Sequence, residues 1–216
     1  MTWEELIAKA EELARAAGVS PERLQTPKVR ETAVVTFFGA GSKPTCTFHL
    51  DASTGEMISA DLCLARTKDL TRGKQFSNKA QAVLALANRE SKRVGSDHVS
   101  SEHLLTALLA YGQGPGPRSL LAAGLSADAV RERVRTVGSA AEVASDGYGP
   151  AMRNILGVAS VYSNILRAAE IEPEHFVLAL LDVTDGPAMS LLRHFKVDAG
   201  KVKVWVVQAM QHGVTE

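Results

Sequence analysis

The sequence predicts a mainly α-helical protein. Two tandem four-helix repeats related by a pseudo-two-fold axis follow a small α+β domain, in which a helix lies on an antiparallel meander of three to four strands. Three observations carry this reading. The stretch Val99–Leu109 returns as Ile171–Leu181, 72 positions later. Between Phe76 and Val134 the same offset gives 14 identities in 59 ungapped pairs, the signature of an internal duplication. Before the doubled part, β-branched and aromatic runs alternate with turn residues, as strands do.

Composition bounds the function. The chain of 216 residues is 45% apolar and 22% charged, as in an ordinary globular protein. Its formal net charge is zero, which argues against a general binder of nucleic acid or anionic membrane. Met-Thr-Trp-Glu-Glu shows no basic leader ahead of an apolar run, and no stretch approaches the ~20 apolar residues of a membrane span. Cys46 and Cys63 face each other if their strands pair, but without a secretion signal they are expected to be free thiols. The expected compartment is a reducing cytoplasm.

The first domain is expected over 1–70. Thr2 and Glu5 form a capping box, Trp3, Leu6, Ile7, Ala10, Leu13 and Ala14 recur at helical spacing, and Gly18 is the expected stop. Pro21 opens a short turn. Ala33–Phe38 and Thr45–Leu50 read as strands, Asp51–Gly55 as a turn and Glu56–Ala60 as a third strand. A fourth is expected where Leu62-Cys-Leu64 extends the sheet. The segment from Phe48 to Ser59 is similar to the strand-turn-strand of PepSY-type small domains, a resemblance that implies docking on another protein. His49 reads as a structural or solvent-facing strand residue, not a catalytic one. A polar linker is expected over 71–75.

The repeats are expected over 76–137 and 148–212, with a linker of Gly, Ala and Ser over 138–147. In the first, Ser77 caps a helix to about Val94 and a second begins near Ser101, ending at the Gly/Pro run 112–117. A third is expected over Arg118–Ala123, Gly124 closes it, and Ser126 caps a fourth to about Val137. The second copy gives Pro150–Arg167, Pro173–Val183, Ala188–Phe195 and Ala199–Gln211.

The helix start at Phe76–Ala87, the Ser-Glu-His-Leu-Leu helix start at 101–105 and the Leu-Leu-Ala-Ala-Gly-Leu-Ser close at 120–126 resemble the Clp repeat. Doubled, that repeat forms the N-terminal domain of Clp-type AAA+ unfoldases, with most likeness to the ClpC branch. The resemblance covers about Phe76–Met210 and leaves 1–70 outside. It implies binding of substrate and adaptor proteins. No Gly-x-x-x-x-Gly-Lys-Ser/Thr loop is present; Arg72-Gly-Lys74 lacks the first glycine and the hydroxyl, so no ATP hydrolysis is expected.

Pro173 at the first helical position puts Glu174 at N2 and His175 at N3; the offset puts Ser100 at the N-cap, Glu102 at N2 and His103 at N3. A first-turn carboxylate is stabilised by the helix dipole by about 0.3–1 kcal/mol. The histidines are expected to bond backbone at the helix start. The resemblance adds a further role for the glutamates. In ClpC-like domains the equivalent carboxylates bind the guanidinium of phosphorylated arginine, a charge-assisted pair, while helix N-termini offer amides to the phosphate. Glu102 and Glu174 stand at those positions, with Phe76, Ser77 and Tyr148 at the neighbouring helix starts. Gly149 stands where the family has Thr, and Pro173 replaces the Thr before Glu174, removing one amide donor.

Catalytic motifs are missing: the sequence has no Gly-x-Ser-x-Gly elbow, no His-Glu-x-x-His and no cysteine beside a base. No catalytic residue, metal or cofactor is expected. The basic run of Arg193, Lys201 and Lys203 reads as a solvated face. The resulting expectation is a non-enzymatic binding module of the Clp chaperone-protease system. It acts as adaptor, competitor or ligand sink, with Clp components, adaptors or substrates as partners and with no nucleic acid or membrane. The alternative is a stress-linked regulator whose α+β domain binds a separate partner while the Clp repeats dock or dimerise.

Overall fold

The computed structural model describes residues 2–17, 23–25, 32–38, 44–62, 74–137, 147–183 and 186–211. Helix α1, Trp3–Ala16, begins with a complete capping box: Glu5 N donates to Thr2 Oγ1 at 3.2 Å and Thr2 N to Glu5 Oε2 at 2.7 Å. Leu6, Ala10, Leu13 and Ala14 form its buried stripe. It lies on an antiparallel sheet of β1 (Arg23–Gln25), β2 (Thr32–Phe38), β3 (Pro44–Asp51) and β4 (Met57–Leu62), in the order β1-β2-β3-β4. Val35, Phe48, Leu50, Met57 and Ala60 supply the buried side chains of the sheet.

The β3–β4 turn is closed by Asp51, whose Oδ1 accepts from the amides of Ser53 at 2.8 Å and Thr54 at 2.9 Å. Gly55, at φ 71°, completes it. The fourth described strand is one the sequence reading did not place. It precedes the meander at Arg23–Gln25 and pairs with the outer edge of β2, while β4 is described only to Leu62. Three residues suffice to satisfy an open edge but carry too little pattern to be read as a strand. The turn at Pro21, the extension through Cys63–Leu64 with its cysteine pairing, and the linkers over 71–73 and 138–146 lie outside the described residues.

The first repeat comprises α2 (Asn78–Arg93), α3 (Ser101–Tyr111), α4 (Pro115–Ala122) and α5 (Ala127–Val137). The second comprises α6 (Pro150–Ile165), α7 (Pro173–Asp182), α8 (Pro187–His194) and α9 (Ala199–Gln211). Helix α4 starts at Pro115, three residues before the expected Arg118. The Gly/Pro run that ends α3 also supplies a proline at the first position of α4, where a missing amide costs nothing. At the far end of α6 the expected Arg167 lies past the helix, because the chain turns left-handed there.

That turn exposes the history of the duplication. Repeat 1 leaves α2 and α4 through Gly95 (φ 69°) and Gly124 (φ 90°). The residues 72 positions later, Arg167 (φ 53°) and Lys196 (φ 55°), keep the same backbone without the glycine that suits it. Their Cβ atoms meet the steric penalty that confines most residues to negative φ. Lys196→Gly is expected to stabilise the protein by about 1 kcal/mol, less the entropy that glycine adds to the unfolded chain. Urea unfolding of the variant against the parent measures it; a midpoint lowered by the full entropic cost of glycine contradicts the strain.

Candidate functional site: the seam between the repeats

The repeats meet where the start of one repeat crosses the start of the other's second helix. Ser77 N donates to Ile171 O at 3.1 Å and Ile171 N to Gln75 O at 2.9 Å. The other copy repeats this: Gly149 N donates to Val99 O at 2.9 Å and Val99 N to Gly147 O at 2.8 Å. Each pair forms a short parallel bridge, Phe76 beside Ile171 and Val99 beside Tyr148. The offset of 72 carries one bridge onto the other, so the pseudo-two-fold axis is written in backbone hydrogen bonds. Side chains follow it: Gln81 Nε2 donates to Phe76 O at 2.9 Å, and Arg153 Nη1 to Tyr148 O at 2.8 Å.

This crossing places each expected site residue. Phe76 and Ser77 stand at the start of α2 but face the second repeat. The Phe76 ring packs on Phe176 with centroids 5.8 Å apart. Ser77 Oγ accepts from Ala80 N at 3.1 Å, capping α2, and donates to Glu172 Oε2 at 2.9 Å across the seam. Ser77 therefore belongs to the cluster of Glu174, and Tyr148 with Gly149 to the α3 start that carries Glu102. Sequence order groups Ser77 with Glu102; the fold exchanges them. Each cluster is built from both repeats.

Both glutamates are buried, Glu102 at 1% and Glu174 at 7% exposure. The cover of Glu174 is the first turn of α4. The Gly116 amide points at Glu174 Oε1 at 3.5 Å. A Cβ on Gly114 would collide with that same oxygen, and one on Gly116 would lie 2.8 Å from Glu174 Cα. Two glycines thus let the α4 turn sit on the carboxylate. Burial pushes the Glu174 carboxyl up from the usual range, partly offset by the amides that face it and by Lys79. On the other side α8 covers α3, and Ala188 N donates to Ser101 Oγ at 3.1 Å. Pro173 holds the place of Ser101 in the second repeat and has no hydroxyl, so there the carboxylate of Glu174 faces the incoming amide instead.

The histidines close the helix starts, as the sequence reading expects. Ser100 N donates to His103 Nδ1 at 3.1 Å and Glu172 N to His175 Nδ1 at 2.8 Å. These are reciprocal N3-to-N-cap bonds with imidazole in place of the usual glutamate. Because Nδ1 accepts, the neutral ring carries its proton on Nε2. Burial holds His103 below its ordinary pKa, against the pull of the Glu102 carboxylate. Burial, with the Lys74 ammonium nearby, lowers His175 to about 4. A neutral, enclosed imidazole engaged in capping is not placed for proton transfer with a substrate. His49, on β3, pairs with Val34 and Ser59 across the sheet.

Lys74 was missed in the sequence, where it reads as part of a polar linker. Its ammonium donates to Ser163 O at 2.9 Å and to Ala168 O, neutralising carbonyls where α6 ends. Among the described residues no group of three or more His, Cys, Asp or Glu side chains is arranged to hold a metal ion, and no single helix is long and apolar enough to cross a membrane.

Comparison with known proteins agrees with the duplicated fold. The family model of the Clp repeat (R) N-terminal domain matches residues 75–152 and 147–216. The chain is 28% identical over 138 residues to the Bacillus subtilis negative regulator of genetic competence ClpC/MecB, covering 63% of this chain and 17% of that protein. It is 29% identical over 136 residues to the chloroplastic chaperone protein ClpC3 of Oryza sativa, covering 62% and 14%. The chain therefore spans only a small part of the length of these curated relatives. Its fold matches the N-terminal domain of ClpD from Arabidopsis thaliana with a TM-score of 0.55 at 24% identity, over 63% of this chain and 95% of that one. The N-terminal domain of Hsp104 from Candida albicans matches with a TM-score of 0.52 at 13% identity, over 62% and 91%.

The His175 shift sets a pH dependence. Above its ordinary pKa of 6.5 the ring is neutral folded and unfolded alike; as pH falls from there to about 4, only the unfolded chain takes up the proton. Stability is therefore expected to fall across that window by up to about 3 kcal/mol from this residue. His175→Gln keeps an N3 acceptor and removes the titration, so the slope of unfolding free energy against pH is expected to flatten. An unaltered slope contradicts the assignment.

Proposed function

Because the chain belongs to the Clp repeat N-terminal domain family, we propose that it acts as a non-catalytic protein-binding module of the Clp chaperone-protease system, recruiting, competing with or sequestering what binds the unfoldase N domain. The observation that carries this reading is the complete double repeat with its crossed seam. The doubled unit shares its fold with the N-terminal domain of ClpD over 63% of this chain. The histidines spent on helix capping support a role in binding rather than in chemistry. The partners expected are Clp ATPase or protease components, together with adaptors or marked substrates.

Within this reading, Glu102 and Glu174 are the proposed contacts for the guanidinium of phosphorylated arginine, with Phe76, Ser77 and Tyr148 forming the walls. Their places at the N2 positions of α3 and α7 support this. A carboxylate there pairs with guanidinium while the amides of the same helix start face the phosphate. Their burial sets the condition for binding: the first turns of α8 and α4 must lift before a ligand reaches them.

Affinity capture of the chain from its own cells is expected to recover a Clp ATPase or protease component; its absence from the captured set ends the module reading. Calorimetry tests the finer one. Free phosphoarginine is expected to bind the parent, and Glu102→Ala to weaken binding by at least about tenfold, the loss of one charge-assisted pair. A parent that takes no phosphoarginine removes the glutamates as ligand contacts and leaves the module reading intact.

A further inference from the structure

Helices α4 and α8 are equivalent by the offset of 72, and neither supplies a cap for its own start. The N-cap residue is glycine in both, Gly114 and Gly186, with no side-chain bond to offer. The first helical position is proline in both, Pro115 and Pro187, which has no amide. The first donor of each helix is therefore the amide at N2, Gly116 or Ala188. An N2 amide has no acceptor within its own helix.

In both helices the acceptor comes from the opposite repeat, but from different positions. Ala188 N donates to Ser101 Oγ at 3.1 Å, the N1 side chain of α3. Gly116 N donates to Glu174 Oε1 at 3.5 Å, the N2 side chain of α7. The sequence supplies the reason: the counterpart of Ser101 is Pro173, whose side chain has no oxygen. Packing agrees with this exchange of roles. A Cβ on Gly116 would lie 3.3 Å from Glu174 Cγ, whereas one on Gly186 would lie 3.2 Å from Ser101 Oγ. The α4 turn rests on the glutamate and the α8 turn on the serine.

We propose that the two halves of the seam are regulated differently: Glu174 caps α4 from the opposite repeat and is thereby self-occupied, while Glu102 is the half that takes the ligand. This rests on the reading of both glutamates as guanidinium contacts. A guanidinium pairs with both oxygens of a carboxylate. At α7 it competes with the Gly116 amide for Oε1, so α4 cannot close over an occupied site. At α3 the cap of α8 is a hydroxyl outside the carboxylate, so α8 closes again over the ligand with its cap in place. One substitution between the copies, serine to proline at the first position of the helix, thus turns a binding carboxylate into a structural one.

Amide hydrogen exchange by NMR on the full chain reads the two caps separately. Glu174→Ala is expected to speed exchange at Gly116 by at least about fivefold and to leave Ala188 unchanged, and Ser101→Ala to do the reverse. Adding Pro173→Ser to Glu174→Ala restores a hydroxyl at N1 and is expected to return Gly116 to near the parent rate. An unmoved Gly116 in Glu174→Ala, equal acceleration at Gly116 and Ala188, or no rescue by the serine overturns the proposal. In calorimetry the parent is expected to take one equivalent of phosphoarginine per chain, and Pro173→Ser, which frees Glu174 from α4, to take two. Two equivalents in the parent, or one in Pro173→Ser, overturns the competition. A parent that takes none ends the guanidinium reading, and the exchange pattern still decides the caps.

Discussion

Four backbone hydrogen bonds hold the two repeats in register, and most other features of the structure follow from them. Each links the start of one repeat to the start of the second helix of the other: Ser77 and Gln75 with Ile171, Gly149 and Gly147 with Val99. A single such bond contributes only about 1 kcal/mol net, but Ser77, Val99, Gly149 and Ile171 are buried, and breaking a bond there leaves a buried group unpaired at a cost of about 1–3 kcal/mol. The seam is therefore kept or lost as a unit. It dictates that α4 covers α7 and α8 covers α3, and it builds each carboxylate cluster from both copies. The glycines at 114 and 116 are tolerated, and required, because of this close approach.

The duplication was legible in the sequence and the crossing was not. The offset of 72 fixes which residues are equivalent, and the caps at Ser77, Ser100 and Ser126 locate three helix starts of the first repeat within a residue. It does not say whether equivalent residues meet their own copy or the other. Ser77 illustrates this: its hydroxyl looks local to repeat 1, yet it reaches Glu172. Nothing short of the packing of two apolar faces decides that. Lys74 was missed for a related reason, since its partners lie about 90 positions away at the end of α6. The strand at Arg23–Gln25 was missed because three residues carry no periodicity. The left-handed residues Arg167 and Lys196 could have been found, since each aligns with a glycine.

Differences between the copies are as informative as the identities. Repeat 1 surrounds α2 with arginines and lysines and closes the buried carboxylate of Glu90 with Arg131. Repeat 2 exchanges that carboxylate for Tyr162, whose hydroxyl reaches the Ala60 carbonyl of β4 at 2.8 Å, and the surrounding arginines for valine and isoleucine. A charged helix face resists dehydration, whereas an apolar one with a single directed donor accepts an edge strand. The asymmetric docking of the α+β unit is in this sense encoded within the doubled region, not within the unit itself. Comparing the two copies position by position, rather than scoring each for helix, brings that signal out.

Burial also links the two carboxylates to each other. Glu174 lies under α4, which belongs to repeat 1, and Glu102 lies on α3, whose start is covered by α8 of repeat 2. A ligand that reaches either one does so by displacing an element of the opposite repeat. On the proposed reading each carboxylate is reached only through an element of the other repeat, and any linkage between two such contacts would run equally in both directions. The seam that makes the fold is thus also the element through which occupancy at one half would be felt at the other.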